Sequence, residues 1–378
     1  MNLCPLCKCP IEPANDTEEH IIPQAIGGRR TVTGFICVAC NNATGATWDK
    51  ALFEELRWFV VMLGTKRERG PAKQIRVDTV SGTAYELSPD GGVSHLKPVV
   101  LAAEDGKSYR IQARSVDEAR MLLRQLQRRF PNVDVEGALA SAEASSRPLN
   151  EVFQTSFEFG GEQSGRSMVK SALALAYSLG VAPSLCELAL AYLCNVSDAT
   201  PSLANHFVTD LVIGRPERLF NCVAVHGDAK RRRLLGYVEY FGVSRWVIHL
   251  STDYDGPDVY STYCFDAITG ERMPLDVNLD LSDETFRASF DGATDDYARR
   301  VDALNQAIPL VRKRRSELAL EANMDFAVSA ACAVMGVKPG QALDDSQLWE
   351  FSGRVSCILA EGLALGGRAS PGQSDSEP

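Results

Sequence analysis

Cys4-Pro5-Leu6-Cys7, Glu19-His20-Ile21-Ile22-Pro23, Gly27-Gly28, Cys37-Val38-Ala39-Cys40-Asn41-Asn42, Gly45 and Asp49 make up the stretch that decides how this chain reads. It contains two C-x2-C pairs, with 29 residues between Cys7 and Cys37. Each pair sets two thiols on one side of a tight knuckle. Four thiolates suit tetrahedral zinc and close its coordination sphere, so the expected role of the metal is structural. Four separate buried cysteines or a disulfide pair are the plainer alternatives. The sequence shows no signal peptide, which disfavours disulfides. Cys9 is a fifth sulfur that could replace Cys7. The spacing of Cys4/Cys7 matches that of Cys37/Cys40, which makes Cys9 a bystander.

Glu19-His20 lies between the knuckles. Ile21, Ile22 and Pro23 follow, so the pair is expected at the end of a short strand. Neighbours on a strand point to opposite faces. A bend or bulge there would let the two side chains converge. Gly27-Gly28 marks a turn. From Asn41 to Leu63, Trp48, Leu52, Leu56, Phe59 and Leu63 recur at spacings of three and four, which predicts a helix with one apolar face.

Together these residues resemble the HNH endonuclease family in its zinc-knuckle branch, whose core is the ββα-metal finger. The resemblance spans about residues 4–63 and carries its own implications. His20 would be the general base that activates water. Glu19 would hold a divalent metal, and Asn41 would complete that site, with Asn42 as the adjacent candidate. The family's middle asparagine, which braces the loop in relatives, is missing; Thr33-Gly34-Phe35-Ile36 stands there. The chemistry is self-consistent. An imidazole titrating near neutrality is a suitable base. A hard cation such as Mg2+ would bind the scissile phosphate through open positions.

The net charge of −10 is unusual for a protein acting on nucleic acid. Local basic clusters can still bind phosphate. Arg29-Arg30 lies nearest the proposed site and is the chosen phosphate contact. Lys66-Arg67-Glu68-Arg69, Arg124 with Arg128-Arg129, Lys230 to Arg233 and Arg312 to Arg315 read as solvated faces. Lys170 is read as a surface lysine. Six further cysteines, Cys186, Cys194, Cys222, Cys264, Cys332 and Cys357, read as reduced core residues. With no membrane span evident, the expected setting is cytoplasmic, with no membrane partner. A homo-oligomer is compatible with the sequence.

The expected class is α+β: an N-terminal HNH finger over 1–63 and a larger mixed region behind it. That region is divided into an α+β segment over 71–150, then a helical hairpin, antiparallel meander and C-terminal helices over 151–365, and a disordered tail over 366–378. Turn signals predict a hairpin over 74–87, a helix over Asp117–Phe130 capped by Ser115, a helix over Ser167–Leu179, and four strands between Phe220 and Phe265. His95, His206, His226 and His249 read as structural. Asp253, Asp255 and Asp258 lack the closing glutamate of a calcium loop. No phosphate-binding loop, ATPase motif or DNA-reading helix is present. Two functions follow: a metal-dependent endonuclease cutting DNA, or a non-catalytic zinc-knuckle module that binds nucleic acid or a partner.

Overall fold

A computed structural model describes residues 2–96, 98–102, 109–113, 116–142, 152–195, 202–292, 296–338 and 340–366. The expected tail over 366–378, apart from Gly366, and the Ser115 cap lie outside the described residues. The chain forms two compact units, Met1–Ile75 with Ser156–Arg315, and Arg76–Thr155 with Ser316–Pro378. Helices and antiparallel sheets are mixed, so the class is α+β.

The first unit opens with β1 (Glu19–His20), paired antiparallel with β2 (Thr31–Val32). The turn between them is tight. A Cβ on Gly28 would meet the Ile22 carbonyl oxygen at 1.8 Å, so only glycine fits there. Next come α1 (Val38–Thr44), a π-helical turn over Gly45–Asp49, and α2 (Lys50–Leu63). The helix therefore starts three residues before the expected Asn41. Gly64, at φ 61°, ends it by donating its N–H to the Val60 and Val61 carbonyls. Ile21, Ile22, Ile26, Phe35, Leu52, Leu56, Phe59 and Leu63 are fully buried and form the finger's core.

A central helix, Glu162–Ser178, packs on both α2 and a six-stranded antiparallel sheet. Its residues Ser164 to Ala176 are buried without a break, so it is enclosed rather than amphipathic. Both oxygens of the Glu55 carboxylate, on α2, cap its start. They accept the Gly160 and Gly161 amides and the Ser164 hydroxyl. The strand order is Arg272–Met273, Val259–Asp266, Phe220–Asp228, Arg233–Tyr240, Ser244–Ser251, Leu203–Asn205. The four strands expected from sequence form its middle, but not as the expected meander: Val259–Asp266 returns to pair with Phe220–Asp228, which is the 4-1-2-3 order of a Greek key, and a short edge strand lies on each side. Buried Asn221 ties sheet to finger. Its amide donates to the Ile26 carbonyl at 2.9 Å, while its oxygen accepts from the Phe241 amide. Phe59 of α2 stacks on Phe241 with ring centroids 5.5 Å apart.

One further sequence expectation changes here. Cys222 and Cys264 are directly opposed on neighbouring strands, and their sulfurs are joined rather than reduced. Side-by-side register, invisible at a separation of 42 residues, brings them together. Arg231 and Arg232 lie on the solvated face expected for them, where they pair with Asp280 and Asp253, and Arg233 pairs with Asp283.

The second unit has a four-stranded sheet in the order Val93–His95, Ala84–Leu87, Ile75–Thr79, Phe153–Gln154, which contains the expected hairpin. Val99–Ala102 pairs with Tyr109–Gln112, and the helices Val116–Arg129 and Val135–Ala140 follow. Helix Tyr297–Met335 spans the division between units, and Asp345–Gly366 is the last helix. Among the described residues, Tyr297–Met335 is the one helix long and apolar enough, by length and composition, to cross a membrane.

Candidate functional site

The two knuckles form one cluster. The Sγ atoms of Cys4, Cys7, Cys37 and Cys40 all lie within 4.8 Å of one another. The first knuckle is held by the backbone: the Lys8 amide donates to the Cys4 carbonyl and the Cys4 amide to the Cys9 carbonyl, each at 2.8 Å. Lys8 takes a φ of 61° to make that turn. The second knuckle is the start of α1, with Cys37 as its N-cap residue. Four sulfurs at this spacing suit zinc, and the residues fit that ion. Cys9 stands outside the group, with its sulfur 3.2 Å from that of Cys7. A backbone N–H from Cys9 pulls the Cys7 thiol down, while the contact with Cys7 pushes Cys9 up to about 12.

The loop between the knuckles lacks the bracing asparagine, and two other residues take over its task. The Asp16 carboxylate accepts the Gly34 amide at 2.8 Å, and the Tyr177 hydroxyl donates to the Gly34 carbonyl at 2.7 Å. Phe35 packs on the Tyr177 ring at 5.3 Å.

Glu19 and His20 do not converge. β1 is regularly paired with β2, without a bulge, so strand alternation sends them to opposite sides. Glu19 is 2% exposed and points inward. There it meets Lys170 of the central helix, with Nζ 2.6 Å from Oε1. The same ammonium is 2.8 Å from Asp49 Oδ2 and 3.5 Å from Thr44 Oγ1. The other Asp49 oxygen accepts the Ser167 hydroxyl at 2.6 Å. Burial pushes the Glu19 carboxyl up, against the pull of Lys170. Burial would lower Lys170, but Asp49 and Glu19 outweigh it and hold the ammonium charged. Lys170 is therefore a buried ion-pair centre, not the surface lysine expected from sequence. Its apolar neighbours, Met168-Val169 and Ala172-Leu173, were the signal that this part of the helix faces inward on every side.

His20 points outward with its side chain 22% exposed, and its Nε2 lies 3.4 Å from Glu68 Oε2. In the sequence Glu68 is one member of a basic run, with nothing local to link it to His20. Asn41 turns its amide nitrogen to the Thr17 hydroxyl at 3.0 Å and the Glu18 carbonyl at 3.4 Å, so it braces the approach to β1. Asn42 is exposed. Arg29 is exposed and donates to the Thr269 carbonyl at 3.0 Å. Arg30 donates to the Ser178 hydroxyl and lies over the Tyr263 ring. The amides of Arg29 and Arg30 both donate to the Tyr263 hydroxyl at 3.0 Å. Both arginines thus help to fasten the finger to the sheet.

A divalent ion shared by Glu19 and Asn41 does not fit this arrangement. Glu19 already has a buried ammonium as its counter-charge. At 2% exposure it offers no room for the waters that magnesium retains.

Residues 4–57 match the family model of the HNH endonucleases. No curated protein and no solved structure matches the chain. The N-terminal segment is thus an HNH domain, with a cysteine cluster that could hold zinc.

Proposed function

We propose that this HNH domain hydrolyses phosphodiester bonds in DNA, with His20 as the general base. The observation that carries the reading is the imidazole of His20, part exposed on β1 inside the matched segment, with a carboxylate at its Nε2. A carboxylate accepts only, so in this reading the proton sits on Nε2 beside Glu68 and the Nδ1 lone pair is left for water. Nδ1 then takes a proton from water as that water attacks phosphorus; the bond from phosphorus to the 3′ oxygen breaks, and that oxygen leaves taking a proton from solvent. Glu68 orients the ring and stabilises the imidazolium that forms. Arg29, exposed beside the finger, is the residue assigned to a backbone phosphate.

Zinc on Cys4, Cys7, Cys37 and Cys40 would close the two knuckles around the loop that carries His20. It would supply structure and no reactive position. HNH domains use divalent ions, but Glu19 and Asn41 are already committed to other partners here. The partner we assign is nucleic acid, met by the protein as a monomer or homo-oligomer.

The test is plasmid cleavage by the zinc-loaded full chain and by His20→Ala, with zinc content measured on both. Wild-type cutting with an inactive, zinc-bearing variant supports the proposal. Equal cutting by both removes His20 from the chemistry. If neither cuts with magnesium, manganese or no added ion, the finger is a binding module instead.

A further inference from the structure

We propose that Lys170 is the resident cation of this HNH domain: its ammonium takes the charge position at Glu19 that the family resemblance assigns to a divalent ion. The proposal rests on residues 4–57 being an HNH domain, and it does not depend on whether that domain cuts DNA.

Three features carry it. First, the donors and acceptors match. An ammonium has three N–H groups. Three oxygens surround this one: Glu19 Oε1 at 2.6 Å, Asp49 Oδ2 at 2.8 Å and Thr44 Oγ1 at 3.5 Å. Second, the position is closed. Lys170 is 1% exposed and Glu19 is 2% exposed. A cation binding Glu19 at the ~2.1 Å of a magnesium–oxygen contact would share the carboxylate with the ammonium, and the two positive charges would repel. Third, both ends are anchored. Glu55 caps the central helix that carries Lys170, and Ser167, one turn before it, holds the second oxygen of Asp49.

In this reading Lys170 is a positioning residue. It pins Glu19 inward and so fixes which face of β1 the adjacent His20 presents. A divalent ion and the Lys170 pair exclude one another at Glu19.

The experiment is Mn2+ titration of the zinc-loaded full chain, by calorimetry and by the Mn2+ paramagnetic resonance signal, with zinc content followed throughout. Four proteins are compared: wild type, Glu19→Gln, Lys170→Arg and Lys170→Met. The proposal expects Glu19→Gln to bind Mn2+ as wild type does, because Glu19 is not a ligand. Lys170→Met, which leaves the buried Glu19 carboxylate and the part-buried Asp49 carboxylate without a counter-charge, should gain a site at least tenfold tighter than any in wild type. Lys170→Arg should not. A tenfold or greater loss of Mn2+ affinity in Glu19→Gln with Lys170 intact would overturn the proposal. Unchanged affinity in a folded Lys170→Met would overturn it as well. Should Lys170→Met fail to fold, Glu19→Gln alone still decides. None of these readouts is DNA cleavage, so an inactive wild type would sink the nuclease reading without touching this one.

Discussion

Lys170 and Asp49 stand 121 residues apart in sequence, and their charged groups lie 2.8 Å apart in the interior. Ser167, one helical turn before Lys170, holds the other oxygen of the same carboxylate. The end of the finger's π-helical turn is therefore fastened to the central helix, so the finger is one face of a larger unit. Deleting one member of a buried pair leaves an uncompensated charge, at a cost of about 3–5 kcal/mol. Lys170→Met should lower stability by that order in urea unfolding. The triple variant Glu19→Gln, Asp49→Asn, Lys170→Met should lose less than the single one, since no charge is stranded. A triple variant weaker than the single would show that hydrogen bonds, not charge balance, set the cost.

The zinc cluster makes a separate claim. Cys4, Cys7, Cys37 and Cys40 converge, whereas Cys9 lies beside them outside the group. One zinc per chain is expected by elemental analysis. Cys9→Ser should keep it, and Cys37→Ser should lose it and with it the fold of the finger, because the knuckle at Cys37 opens α1. Zinc loss from Cys9→Ser comparable to that from Cys7→Ser would move the fourth ligand to Cys9.

Much of the finger was legible because its signals are local. Two C-x2-C spacings, the glycine pair and a three–four apolar repeat each need only a few neighbouring residues. The four long strands were legible for the same reason, since they are bounded by turn residues such as Asp255-Gly256, but their order was not, because Val259–Asp266 crosses back to pair with Phe220–Asp228. What could not be read was which side each residue faces. Glu19 and His20 looked like one site because they are adjacent, yet unbroken pairing with β2 parts them. Lys170 looked like a surface residue because lysine usually is one, and only long-range packing supplies its two carboxylates. Glu68 acquires a partner 48 residues away that no local pattern links to it.

The two buried histidines of the sheet give the fold an acid limit. His206 is held by Thr209 and Ser289, and His249 lies against Phe286 and Phe290. Burial pushes both down from 6.5 to about 4, helped by Arg245 beside His206 and by Arg233 beside His249. Because their folded values are depressed, the unfolded chain binds more protons between pH 6.5 and pH 4. Their contribution is complete above pH 6.5 and is lost as pH falls toward 4. Urea midpoints at pH 7 and pH 5 should differ in wild type, and the gap should narrow in His249→Leu. An identical gap in that variant would assign the acid sensitivity elsewhere.

The last prediction concerns His20 and Glu68. General-base catalysis contributes about 10²–10⁴-fold, so His20→Ala should cost cleavage that much with zinc retained. Glu68 acts through His20 and not on phosphorus, so Glu68→Gln should cost less. An amide can still hold the ring in place, but it cannot stabilise the imidazolium by charge. The loss should therefore fall on kcat, with KM near the wild-type value, and Glu68→Ala should lose more than Glu68→Gln. In the His20→Ala background, changing Glu68 should have no further effect, since the two act as one unit. Additive losses in the double variant would mean that Glu68 works on substrate directly. Full activity in Glu68→Ala would leave the His20 ring without the orienting partner that the 3.4 Å contact assigns to it.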